Sequence, residues 1–252
     1  MCLIFLAHEW FPTRRLVIAA NRDEYHRRET AAAAFWDSGD ILAGRDLVGG
    51  GTWMGVTRAG RFAALTNFRS ASNPPPNPPT RGQLVADFLR ADMPARTYLE
   101  GLVAGAKGYA GFSLLVGDDD ELLFFSNKDC DIHVVPPGVH GLSNHLLNEP
   151  WPKVTRGVSQ IKAMKAEAGV DTETLFDMLR DSAPAGDELL PDTGVGIARE
   201  RQLSPMFILG RDYGTRSSTV IDIGEHRRIR FEERAFDDRA EETGRQVHRV
   251  GD

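Results

Sequence analysis

Residues 2–24 read CLIFLAHEWFPTRRLVIAANRDE. Two apolar runs, 2–8 and 15–20, flank a turn that contains Pro12, and the second run ends abruptly in Asn21-Arg22-Asp23-Glu24. Short runs that are apolar without alternation suit strands of a sheet covered on both faces. If the two strands pair antiparallel, the end of the second returns beside the beginning of the first. Arg22 and Asp23 are then expected next to Cys2.

That placement gives Cys2 a chemical reading. Methionine aminopeptidase accepts a small second residue, so Met1 is expected to be removed, leaving a thiol and a free α-amine on one residue. An α-amine titrates at about 7.7–8.0, so part of it is neutral near pH 7 and can take the thiol proton without a histidine. Arg22 would favour the thiolate, and Asp23 would hold the amine by a charge-assisted hydrogen bond. A nucleophile of this kind also needs donors for an oxyanion. Asn67 and Asn144, each at the end of an apolar strand, are the candidates.

Working outward, Gly49-Gly50-Gly51 marks a turn, and residues 52–56 and 61–67 read as a hairpin around Ala59-Gly60. The segment 73–80, NPPPNPPT, is a stiff surface loop. Helices are expected from a Thr80 cap to Leu89, over 95–106, over 151–168 behind Pro152, and from an Asp171 cap to Arg180. Strands are expected at 112–116, 121–127, 133–135, 139–143, 219–223 and 228–236. Residues 182–205 read as one long irregular stretch. Strands and helices come in blocks without strict βαβ alternation, which favours an α+β fold. One domain is expected over 1–236, with 237–252 a frayed tail.

Composition narrows the function classes. With 36 acidic against 30 basic side chains and a net charge of −6, general binding to a nucleic-acid backbone is not expected. No run approaches the roughly 18 apolar residues of a membrane span, and the apolar start lacks the charged lead of a secretory signal. Two cysteines, Cys2 and Cys130, make no disulfide framework, and no Cys/His spacing suggests a metal site. A cytoplasmic setting is expected. Oligomeric state is not readable.

The motifs together carry a resemblance. Cys2, the Asn21-Arg22-Asp23-Glu24 tetrad, Gly51-Thr52-Trp53-Met54-Gly55-Val56 and Ala64-Leu65-Thr66-Asn67 resemble the NRDE, or transport and Golgi organization 2, family. Further blocks continue the match: Gly141-Leu142-Ser143-Asn144, Pro150-Trp151-Pro152-Lys153, Leu203-Ser204-Pro205 and Tyr213-Gly214-Thr215-Arg216-Ser217-Ser218-Thr219. That family is similar to N-terminal nucleophile hydrolases, which implies a four-layer αββα sandwich. Within that group the choloylglycine hydrolase-like enzymes cleave linear amides. The resemblance implies that Cys2 is the nucleophile, that Arg22 and Asp23 tune it, that Asn67 and Asn144 are oxyanion donors, and that Arg216 contacts substrate.

Two functions follow from the resemblance. One is Cys2-dependent hydrolysis of, or acyl transfer from, a linear amide or thioester, with no cofactor required. The other is a carrier that moves haem, or an acyl-CoA-like lipid, without covalent chemistry. Haem would need a replaceable axial ligand. His8, His26, His133, His140, His145 and Cys2 are formally available, and their spacing marks none of them.

Overall fold

A computed structural model describes residues 2–37, 39–164 and 171–251. Met1, whose removal is expected, lies outside the described residues. The opening hairpin is present: Cys2–His8 (β1) pairs antiparallel with Arg14–Tyr25 (β2), from Cys2 opposite Arg22 to His8 opposite Leu16. β2 runs five residues beyond the expected apolar run, so the polar tetrad sits inside the strand. Thr30–Phe35 (β3) and Ile41–Asp46 (β4) follow as strands that the pattern of residues did not announce. TAAAAF has four alanines, a residue with little β preference, so backbone pairing with β4 decides its state. The expected hairpin is Met54–Thr57 (β5) with Phe62–Asn67 (β6).

Helix Gly82–Arg90 (α1) starts two residues after Thr80, with Arg81 at the N-cap and no side-chain cap bond. Ala95–Val103 (α2) is followed by a separate 3-10 turn, Ala106–Gly108. Phe112–Gly117 (β7), Leu122–Ser126 (β8), Ile132–Val134 (β9) and Gly138–Leu142 (β10) lie close to expectation. Pro152–Ala163 (α3) has its proline in the first turn, where the missing N–H costs nothing. It ends earlier than expected, because Met164 is already extended (ψ 134°); residues 165–168 of the expected helix lie outside the described residues.

Thr172–Leu179 (α4) is capped by Asp171, whose carboxylate accepts the Glu173 N–H at 3.1 Å. The stretch 182–205 is less irregular than expected, holding a 3-10 turn, Asp187–Leu189, and a helix, Ile197–Gln202 (α5). The chain closes with Tyr213–Gly224 (β11), Ile229–Phe236 (β12) and Glu242–Val250 (β13). That last strand replaces the expected frayed tail. Its side chains are largely exposed, so composition carried no core signal, yet its backbone pairs with β12 from Ile229–Val250 to Phe236–Glu242.

The chain divides into two compact units, neither continuous in sequence. One holds residues 1–27, 137–143 and 147–252, the other 28–136 and 144–146. The first carries a six-stranded sheet in the order β10-β1-β2-β11-β12-β13. Leu3, Phe5, Val17, Ala19 and Val220 of this sheet pack with Val154 and Ile161 of α3 and Leu175 and Phe176 of α4. The approach is close at one point: a Cβ on Gly157 of α3 would lie 2.1 Å from the Phe5 ring. The intervening residues Ile4, Leu6 and Ile18 are also buried, which accounts for the unbroken apolar runs.

The second unit carries a seven-stranded sheet in sequential order, β3 to β9. Ala63, Leu65, Leu114, Val116 and Phe125 pack with Leu84, Val85 and Phe88 of α1 and Leu99 of α2. Gly51 lets two backbones meet here, since a Cβ would lie 2.3 Å from the Gly82 carbonyl carbon. Among the described residues no helix is long and apolar enough to cross a membrane.

Candidate active site

The site in the first unit is written in the register of its sheet. Cys2 stands opposite Arg22, and Arg22 opposite Ser217 of β11. Asp23 stands opposite Thr215, and Asn21 opposite both Leu3 and Ser218. Directly opposed residues share a face and successive residues alternate, so Arg22 flanks Cys2 while Asn21 turns the other way. Cys2 and the three polar residues are all buried, at 9%, 1%, 6% and 1% exposure for Cys2, Asn21, Arg22 and Asp23. Charged groups at this depth need assigned partners.

Asn21 is a structural clamp. Its amide donates to the carbonyls of Leu179 and Met206, both at 2.8 Å, and its side-chain oxygen accepts the Ser218 hydroxyl at 2.6 Å. These bonds tie β2 to the end of α4, to the segment before β11 and to β11 itself. Asp23 is held from β11: Thr215 Oγ1 donates to its carboxylate at 2.7 Å, and the Tyr213 hydroxyl donates to its carbonyl at 3.1 Å. Thr215 Oγ1 in turn accepts the Ile208 N–H at 2.9 Å, which fixes the hydroxyl. Burial pushes the Tyr213 phenol well above its ordinary range, with the Asp23 charge adding to it, so Tyr213 serves as a neutral donor.

Burial also dominates Cys2 and raises its thiol above the ordinary value. Asp23 adds to the rise, while Arg22 and a hydrogen bond from the Asp23 backbone N–H to the sulfur oppose it. Arg22 acts in the direction expected of it, favouring the thiolate, while desolvation is the largest influence and acts the other way.

The register slips between Thr215 and Ser217, which makes Arg216 the extra residue of a β-bulge. Bulges re-aim side chains, and here Arg216 Nη1 donates to the Tyr25 carbonyl at 3.0 Å. Burial and the neighbouring charge of Arg22 depress its guanidinium, with Glu24 opposing. Arg22 on the tetrad strand and Arg216 on its neighbour are thus close enough for the charge of one to bear on the other.

Asn67 and Asn144 both belong to the second unit and come together there. Asn144 Nδ2 donates to the Asn67 carbonyl at 3.0 Å, and the Asn144 carbonyl accepts the Arg69 N–H at 2.7 Å. Asn144 is fully buried with φ of +56°, a conformation that asparagine tolerates better than most residues. One of its amide hydrogens is thereby committed, whereas the half-buried Asn67 amide has no hydrogen-bond partner among the described residues.

The histidines are scattered. His26 meets the Gly210 carbonyl (3.0 Å), His133 meets Asp129 (3.1 Å), His140 meets Asn148 (3.0 Å), and His145 lies on the Phe68 ring (4.5 Å). His8 closes β1. Among the described residues no group of three or more His, Cys, Asp or Glu side chains could hold a metal ion. Residue patterns alone pointed to Arg22 and Asp23 but missed Thr215 and Tyr213, which hold Asp23, and Ser218, which holds Asn21. The available signal was the run of hydroxyls in Tyr213-Gly214-Thr215-Arg216-Ser217-Ser218-Thr219. Lys153 was also unassigned; it is buried, and its amine donates to the Leu203 carbonyl at 2.9 Å, joining two of the quoted motifs.

Two antiparallel sheets, each with its own helices, define the fold. The fold is that of the N-terminal nucleophile hydrolases, the αββα sandwich. It matches the C2A mutant of conjugated bile acid hydrolase from Clostridium perfringens over 100% of this chain and 92% of that one, with a TM-score of 0.53 and 9% identity.

The family follows from the sequence. The model for "Transport and Golgi organisation 2" matches residues 1–238, and the chain belongs to that family. Relatives include the Transport and Golgi organization protein 2 homologs of Bos taurus, 33% identical over 94% of this chain and 93% of that one, and of Homo sapiens, 31% identical over 95% and 94%. The Drosophila melanogaster protein is 28% identical over 92% and 90%.

Proposed function

We propose that this chain is a hydrolase or acyl-transfer enzyme whose nucleophile is Cys2, acting on a linear amide or thioester once Met1 is removed. The observation that carries the reading is the pairing of Cys2 with Arg22 beside a fixed Asp23, with the Asp23 N–H donating to the Cys2 sulfur. A thiol raised by burial needs a base, and the α-amine of the same residue is the nearest one that processing would create. In the proposed cycle the neutral amine takes the thiol proton and the sulfur attacks the acyl carbon. Collapse of the tetrahedral intermediate expels the amine or thiol leaving group, which regains the proton. Water then cleaves the thioester by the same relay.

Asn67 and Asn144 are carried forward as the proposed oxyanion donors, Asn67 being the one with both amide hydrogens uncommitted. Arg216 is proposed to hold a polar group of the substrate. A fold by itself assigns no chemistry, so the reading rests on these residues. The test is a panel of linear amides and thioesters assayed with the processed chain. Turnover should vanish in Cys2→Ala and fall by roughly 10²–10³ in Asn67→Ala. Turnover that survives Cys2→Ala would overturn the proposal.

A further inference from the structure

The second unit holds a cavity of about 680 Å³ that the proposed chemistry does not use. Arg81, Lys107 and Lys128 line it together with Phe68, Tyr109 and Gly111, and no acidic side chain does. This is an unusual concentration of positive charge for a chain of net charge −6 that has only five lysines, two of them here. The cations converge through Gly111. Arg81 Nη1 donates to its carbonyl at 2.9 Å, and the Lys128 side chain lies across its α-carbon, with Cε 2.9 Å and Nζ 3.6 Å from where a Cβ would stand. Lys128 Nζ also sits 5.6 Å from the Phe68 ring centre. The Lys107 amine, presented by the 3-10 turn Ala106–Gly108, has no carboxylate partner among the described residues.

Two lysines and an arginine on one cavity whose lining residues include no carboxylate suit a ligand with several anionic oxygens in a row. Lysine supplies mobile point charges and arginine a planar fork, the combination used for phosphate groups. The volume is within the range of small-molecule sites and exceeds what one phosphate fills. We propose that this cavity binds a phosphorylated small molecule through a diphosphate or triphosphate group, with the loop around Pro74 and Pro75 bounding the rest of the ligand.

The test is calorimetric titration of the full chain at low ionic strength with ATP, inorganic pyrophosphate and adenosine. ATP and pyrophosphate should bind and compete with each other, and adenosine should bind far more weakly. Lys107→Glu should weaken both anions at least tenfold, and Lys107→Glu with Lys128→Glu about a hundredfold. Gly111→Ala keeps every charge but displaces Lys128, and should weaken binding as well. Lys162→Glu, at the end of α3, should change nothing. Failure of ATP and pyrophosphate to bind, equal binding of adenosine, or an equal loss in Lys162→Glu would overturn the proposal. If the double variant does not fold, Lys107→Glu and Gly111→Ala decide the matter.

Discussion

Asn21→Leu tests the division of labour inside the tetrad. Leucine shares the branched shape of asparagine but is larger and has no polar atoms, so three hydrogen bonds disappear and the buried site must also take up the added volume. The substitution leaves the carbonyls of Leu179 and Met206 and the hydroxyl of Ser218 without their partner, at a position only 1% exposed. Each buried polar group left unmet costs about 1–3 kcal/mol. The Ser218 hydroxyl can rotate toward another acceptor and neighbouring losses are not additive, so the expected cost is about 3–5 kcal/mol. Ser218→Ala removes only one of the bonds and should cost about 1–2 kcal/mol. Urea unfolding followed by fluorescence should show the midpoint falling in that order, with alkylation of Cys2 in the folded protein unchanged. A cost below about 1 kcal/mol for Asn21→Leu would refute the clamp.

Gly157→Ala drives a methyl group into the Phe5 ring and should destabilise by about 1–3 kcal/mol, with partial recovery in combination with Phe5→Leu, as read by thermal melting. Asn144→Gly should cost about 1 kcal/mol less than Asn144→Ala in urea unfolding, because both lose the bond to Asn67 but only alanine is strained at φ +56°. Glu232, whose side chain has no exposure, pairs with Arg230, Arg234 and Arg245 at 2.7–2.9 Å. Burial alone would raise its carboxyl, but the hydrogen bonds and charges of these arginines hold it below the ordinary glutamate value. A depressed folded-state pKa stabilises above the unfolded value of about 4.3 and is lost as pH falls through the folded value. Melting curves should therefore show stability decreasing in acid from about that pH downward, with a shallower decrease in Glu232→Gln.

The opening hairpin was readable because its apolar runs are unbroken and its polar end is abrupt, and that alone put Arg22 beside Cys2. Strand β3 was not readable, since alanines carry neither a period nor a β preference, and β13 was hidden because an edge strand can pair through its backbone with polar side chains. The partners of Asp23 lie 190 or more residues away in sequence, and only the register of β2 with β11 brings Thr215 and Tyr213 to it. The bulge that re-aims Arg216 is likewise a property of pairing, not of local composition. The burial of Cys2 is of the same kind: a neighbouring arginine can be inferred from strand order, but the depth of burial, which raises the thiol, depends on the whole packed sheet.

The central claim is that Cys2 is a nucleophile served by its own α-amine. The most direct measurement is mass spectrometric mapping of the acyl adduct formed with an activated thioester, on processed protein and on protein that retains Met1. The account predicts one acyl group on the peptide that begins at Cys2, absent from Cys2→Ala and from the Met1-retaining form. Equal acylation of the Met1-retaining form, or an adduct that persists in Cys2→Ala, would contradict it.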